Sequence, residues 1–199
     1  MALNRWVEAE RYARLLEQLE PENLNARVLR IQASGAVLAG SRVAADEMEG
    51  LIKETAALRE AHPKSVDVRL LEAELLFNAG RKDEAIASLE RAANECERPL
   101  AARMKAIQYL RNMPGRESEA LTACRTAAEK EPEAAAPRIV LAELLAAADK
   151  NDEAVAVLEQ AEREFALLEP QVPVERQEEL RRERAAISKA LAHHWLEAG

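Results

Sequence analysis

The sequence predicts an all-α chain built as a stack of antiparallel helix hairpins, and three observations carry that expectation. The stretch Gly80-Arg-Lys-Asp-Glu-Ala-Ile-Ala-Ser-Leu-Glu-Arg-Ala92 recurs in register: Ala85, Leu89 and Ala92 return 35 residues on as Ala120, Cys124 and Ala127, and a further 34 on as Ala154, Leu158 and Ala161. A fixed period of this size marks a repeat array, in which each unit touches only its neighbours. The apolar residues of each segment also recur at three- and four-residue spacing, the period of an amphipathic helix. Finally, Gly80, Gly115, Pro63 and Pro132 punctuate the segments where turns are needed.

The acidic residue ahead of the first alanine returns as Glu84, Glu119 and Glu153, and the glycine five places before that alanine appears as Gly80 and Gly115, with Asp149 in the third copy. On these residues the chain resembles the tetratricopeptide repeat (TPR) family, whose unit of about 34 residues folds as two antiparallel helices. The resemblance spans nearly the whole chain and implies a right-handed α-solenoid that serves as a protein-interaction scaffold. The composition, rich in Ala, Leu, Arg and Glu, looks bacterial. Similar bacterial arrays serve envelope assembly, secretion and exopolysaccharide export, so a partner in such a complex is the expectation the resemblance adds.

Taken in order, residues 3–21 read as the second helix of a hairpin: Trp6, Ala9, Tyr12, Ala13, Leu16 and Leu19 keep helical spacing, and Ala9 precedes Pro21 by the step that separates Ala120 from Pro132. The segment is either an N-terminal cap or the back half of a unit cut from a longer array. Trp6 and Tyr12 favour the cut, since a cap exposes a polar outer face. Residues 23–63 form the least regular hairpin. Leu24, Val28, Ile31 and Leu38 mark its first helix, Ala33, Ser34, Gly35 and Ala36 permit close backbone approach, and Gly40-Ser41 supply the turn. Its long second helix, from about residue 43, carries Met48, Leu51, Ile52, Thr55 and Leu58 as far as Pro63.

Residues 65–99 make the cleanest unit, with Val68, Leu71, Leu75 and Leu76 before the turn at Asn78-Ala79-Gly80. Glycine suits a helix C-terminus because the residue there adopts a left-handed conformation. Asp83 and Glu84 then meet the positive end of the next helix dipole, and Ala73 and Ala85 are the small residues expected where the two helices cross. In residues 100–134 the pattern is disturbed. Gln108 stands where neighbours have Ala73 and Ala142, Arg111 where they have Leu76 and Leu145, and Asn112 to Gly115 break the first helix early. A ligand-shaped irregularity would explain this, but a repaired distortion, with Leu110 taking over the apolar contact by a one-residue shift, is the plainer reading.

Residues 135–170 regain the pattern through Leu141, Ala142, Leu145, Ala154, Leu158 and Ala161; Asp149 accepts the left-handed conformation less readily than glycine. After the connector Glu169-Pro-Gln-Val-Pro173, residues 174–199 form a helix of roughly 35 Å at 1.5 Å per residue. It is charged from Glu175 to Arg184 and apolar at Ile187, Leu191, Ala192, Trp195 and Leu196, as the first helix of a further repeat would be.

Composition narrows the classes of function. Charged residues of both signs are interspersed, as on solvated helix faces, and a net charge of −8 without a basic patch disfavours nucleic acid. The nearest basic run, Arg181-Arg182-Glu183-Arg184, is interrupted by a carboxylate. Cys96 and Cys124 make neither a disulfide framework nor a zinc spacing, and Cys124 falls where other copies carry Leu89 and Leu158, a core position. No apolar run approaches the ~18 residues of a membrane span. No phosphate-binding glycine loop, GxSxG elbow or HExxH pair is present, and His193 and His194, adjacent on one helix, point about 100° apart. The sequence assigns no catalytic residue, cofactor or metal ligand.

What remains is surface. In the family this chain resembles, successive first helices line a groove that grips a peptide or a partner helix. By position, that resemblance points to Arg27, Arg30 and Ser34 in the first hairpin, and to Asp67, Leu70, Glu74 and Phe77 in the second. It adds Ala102, Lys105, Tyr109 and Met113 in the third, and Ala136, Ile139 and Glu143 in the fourth. Lys105 alone matches the subset of the family that holds chaperone carboxylates, and the accompanying asparagines are missing. Two other readings stand beside the scaffold: a recruiting arm of a larger enzyme whose catalytic domain lies outside this chain, and self-association through Trp6 and Trp195.

Overall fold

The computed structural model describes residues 2–39 and 45–198; the turn expected at Gly40-Ser41 and the start of the helix after it lie outside them. Among the described residues the chain is helical throughout, without a strand. Its elements are α1 (Ala2–Leu19), α2 (Leu24–Ala39), α3 (Ala45–Ala61), α4 (Val66–Asn78), α5 (Lys82–Glu95), α6 (Pro99–Arg111), α7 (Glu117–Lys130), α8 (Ala136–Ala147), α9 (Asn151–Leu168), a 3-10 turn (Glu169–Gln171) and α10 (Val174–Ala198). The chain forms two compact units, Met1–Lys105 and Ala106–Gly199, with the division inside α6.

In the first unit α1 packs on α2, α2 on α3, α3 on α4 and α4 on α5, while α2 also touches α4. The first helix α2 thus meets both its own partner α3 and the next first helix α4, the contact pattern of a helical repeat. The α2–α4 approach is close: a Cβ at Gly35 would lie 2.5 Å from Leu75 Cδ2. That accounts for the run of small residues read in α2. Ala73, Ala85, Leu89 and Ala92 are fully buried, as the crossing of α4 with α5 requires. The Ser65 hydroxyl accepts the Val68 N–H to start α4, and Gly80, at φ +81°, ends its C-terminal turn.

In the second unit α7 packs on α8, α8 on α9, and α10 on both α9 and α8. Ala120, Cys124 and Ala127 of α7, and Ala154, Leu158 and Ala161 of α9, are buried with Ala142, Leu145, Phe165 and Ile187. Asp149 holds the left-handed turn at φ +60°, the role read for it.

The disturbed unit is repaired in the expected manner. The buried residues of α6, Ala102, Ala106, Ile107, Tyr109 and Leu110, stand 34 residues after Val68, Glu72, Ala73, Leu75 and Leu76, whereas Ala120 stands 35 after Ala85. One extra residue therefore sits in the turn Asn112 to Gly115, which ends on Gly115 at φ +81°. Ile107 fills the place of Ala73, and Gln108 and Arg111 face outward, exposed.

Candidate functional site

In the first unit α2 and α4 run side by side and leave an open trough of about 420 Å³. Val28, Leu29, Leu70 and Leu71 form its apolar part, and Asn25, Gln32, Asp67 and Glu74 its polar edge. Leu29 is 50 % exposed and lies beside the other apolar residues of the trough. The Gln32 amide reaches Glu74 Oε2 only at 3.5 Å, and Asp67 takes a 2.6 Å ion pair from Arg98 on the exposed side.

The residues expected to line a groove divide sharply. Asp67, Leu70 and Glu74 are in the trough. Arg27, Arg30 and Ser34 are not. Arg30 bridges Glu17 of α1 and Glu54 of α3, and Arg27 lies 4.0 Å from the same Glu17. Ser34 is buried and donates to Glu10 Oε1 at 2.8 Å. Burial raises the Glu10 carboxyl, but hydrogen bonds from Arg14 and Ser34 outweigh it and hold the group below its ordinary range. The physical cause of the displacement is register. Asn25, Val28 and Gln32 precede Asp67, Leu70 and Glu74 by 42 residues, whereas the expected trio precedes them by 40, and two residues turn a helix face by about 200°.

Ala102 and Tyr109 are buried and give no side chain to a solvent-facing groove. The one-residue slip in α6 is again the cause: Ala101, Met104, Gln108 and Arg111 stand 34 residues after Asp67, Leu70, Glu74 and Phe77. Phe77 is half-buried with Lys82 Nζ 5.5 Å from its ring centroid, so it is tied to the start of α5. Lys105 is half-buried, and Met113, Ala136 and Ile139 are part-exposed. Glu143 is exposed and pairs with Arg111 at 2.7 Å. Arg111 had looked like a misplaced core residue; its charge links α6 to α8.

A second hollow, of about 400 Å³, lies in the other unit beside α7, α8 and α9. Three of its polar groups pair among themselves: Arg138 pairs with Glu164 at 3.1 Å, and Gln160 donates to Glu164 Oε1 at 2.8 Å. Both cysteines are buried thiols. Burial pushes Cys124 up to about 12, which suits its core reading, and raises Cys96 as well, near a helix end where the sequence leaves exposure open but the thiol is buried, so both stay neutral. Among the described residues no three His, Cys, Asp or Glu side chains gather as metal ligands, and no helix is long and apolar enough to cross a membrane.

Compared with known proteins, the chain matches no family model and no curated relative.

Proposed function

We propose that this chain is a TPR-type interaction scaffold that takes an extended or helical segment of another protein in the trough between α2 and α4. The observation that supports this most is the apolar floor of exposed Leu29 and half-buried Leu70 set between the carboxylates Asp67 and Glu74. An apolar anchor entering there removes leucine surface from water, while the acidic edge favours a neighbouring Lys or Arg on the partner. The preferred ligand is therefore an apolar segment with a basic residue beside its anchor, in keeping with a chain of net charge −8.

Peptides selected from a randomised library on the wild-type chain test this reading. They should be enriched in aliphatic or aromatic residues next to Lys or Arg. The variant Leu29→Asp/Leu70→Asp should bind them at least ~10-fold more weakly, about 1.4 kcal/mol, with its melting temperature little changed. Equal binding by wild type and variant, or a selection that yields no binder, would remove the trough from consideration.

A further inference from the structure

In hairpins α4–α5 and α8–α9 the second helix faces its own first helix through a stripe spaced i, i+3, i+7, i+10. The stripe is Ala85, Ser88, Ala92 and Glu95 in α5, and Ala154, Val157, Ala161 and Glu164 in α9. Contacts fix the facing: Ser88 donates to Glu72 at 2.7 Å, Glu95 pairs with Arg69 at 2.7 Å, and Glu164 pairs with Arg138 at 3.1 Å. Helix α1 carries the same stripe as Ala9, Tyr12, Leu16 and Leu19. The alignment is secured by its end, since α1 and α7 stop at Leu19 and Lys130, each two residues before a proline, Pro21 and Pro132.

Three of the four stripe positions are more open in α1. Ala85, Ser88, Ala92 and Ala154 are fully buried, yet Ala9 is exposed, Tyr12 is 68 % exposed and Leu16 is half-buried; Leu19, 72 % exposed, stands where Glu95 is exposed too. The stripe of α1 is also wholly apolar, whereas the last position elsewhere holds Glu95, Lys130 or Glu164.

Helix α10 shows the converse half. Leu141-Ala142 with Leu145 in α8 recurs as Leu191-Ala192 with Trp195 in α10. Ala142 and Leu145, closed over by α9, are buried, while Ala192 is exposed and Trp195 is 57 % exposed. The opposite side of α10 is packed, with Leu180 and Ile187 buried. So α10 is seated on its own unit as a first helix is, and its face toward a second helix is open.

We propose that a second copy of this chain closes both faces, α1 of one copy docking on α10 of another to complete an intermolecular hairpin of the α4–α5 kind. The interface continues one already built within each unit. Its charges also match: where internal hairpins hold Arg69 with Glu95 and Arg138 with Glu164, the proposed pair holds Ser188 with Leu19, both charges being dropped together. Leu19 therefore meets no buried guanidinium, and Ser188 is already satisfied by Glu162 at 2.9 Å. In size, the same alignment sets Ala9 against Ala192, two small residues as close helix crossing needs, and Tyr12 against Leu191. The contact is heterologous, so it propagates head to tail or closes as a ring.

Sedimentation of the full chain from about 1 µM to about 1 mM should show a mass rising above the 22.0 kDa monomer. Ala9→Arg spoils one face and Ala192→Arg the other, and both sites are exposed, so each variant should keep its helicity and sediment as a monomer alone. Mixed in equal amounts they should form a dimer and nothing larger, since each retains the face that the other lacks. Leu19→Lys and Trp195→Glu repeat the test at independent positions. A wild type monomeric throughout the range overturns the proposal; so does a mixture that stays monomeric, or self-association that survives both variants.

Discussion

In hairpin α4–α5 the buried carboxylate of Glu72 accepts a hydrogen bond from Ser88 at 2.7 Å and an ion pair from Arg59, whereas 69 residues on, in α8–α9, Leu141 and Val157 fill the same two positions. The buried arginine is present in both, but its surroundings differ. Arg69 pairs with Glu95 beside Cys96, and its buried Nε has no hydrogen-bond partner. Arg138 pairs with Glu164, donates to the carbonyl oxygens of Ala134 at 3.0 Å and Glu131 at 3.4 Å, and lies 5.5 Å from the centroid of the Phe165 ring. Phe165 stands where the first hairpin has Cys96. Repeat geometry thus dictates which positions meet, while the chemistry at a meeting point changes in pairs. One hairpin closes with a polar contact and a small thiol, the other with aliphatic contacts and an aromatic shelf.

The largest effect should come from that shelf. Phe165 is fully buried, so Phe165→Ala should cost about 3–5 kcal/mol through lost burial, a cavity and the loss of its cation–π contact with Arg138. Cys96→Ala, at the matching position, removes a single sulfur atom and should cost roughly 1 kcal/mol. Urea denaturation of the two variants measures the difference, and equal losses would mean that the ring does not organise its hairpin.

A smaller effect isolates the polar pair. Ser88→Val leaves Glu72 buried and short of a donor, and should cost about 1–3 kcal/mol. Adding Glu72→Leu recreates the pair found at Leu141 and Val157, and releases the part-exposed Arg59 to water. The double variant should then recover at least ~1 kcal/mol of that loss, read as coupling in a double-mutant cycle. Simple additivity would show that the two hairpins are not interchangeable at these positions.

Such pairings explain what was legible in the sequence. Alanines at helix crossings, Ala73 with Ala85 and Ala142 with Ala154, recur because close packing admits little else, and they expose the period and the element order directly. The α4 side of the trough follows from that register. The α2 side does not, because fully buried Ile31, 42 residues before Ala73, sits at the equivalent position without a small residue to mark it. Tyr109 was misplaced for a related reason: the inserted residue lies in a turn, so first helices advance by 34 while second helices advance by 35. The facing of Glu72 with Ser88 lies in the sequence at a step of 69 from Leu141 and Val157, but only packing tells which residues touch.

The smallest difference between the two hairpins is confined to one backbone angle. Both first helices end with the same pair of bonds: Gly80 N–H to Phe77 O at 3.0 Å and Arg81 N–H to Leu76 O at 2.9 Å, against Asp149 N–H to Ala146 O and Lys150 N–H to Leu145 O, each at 3.0 Å. The residue at the left-handed position is glycine at φ +81° in one and aspartate at φ +60° in the other. An L side chain is disfavoured there by contact with its own backbone, though aspartate suffers less than most. A Cβ at Gly80 would meet nothing within 4 Å, so tertiary packing takes no part in the preference. Asp149→Gly should therefore stabilise its hairpin by about 0.5–1 kcal/mol, and Gly80→Asp should destabilise the other by a similar amount. Paired melting curves of the two variants decide it: opposite shifts of similar size follow if the two turns are the same device, whereas a loss at Asp149→Gly would show that its carboxylate contributes more to the turn than the left-handed angle costs.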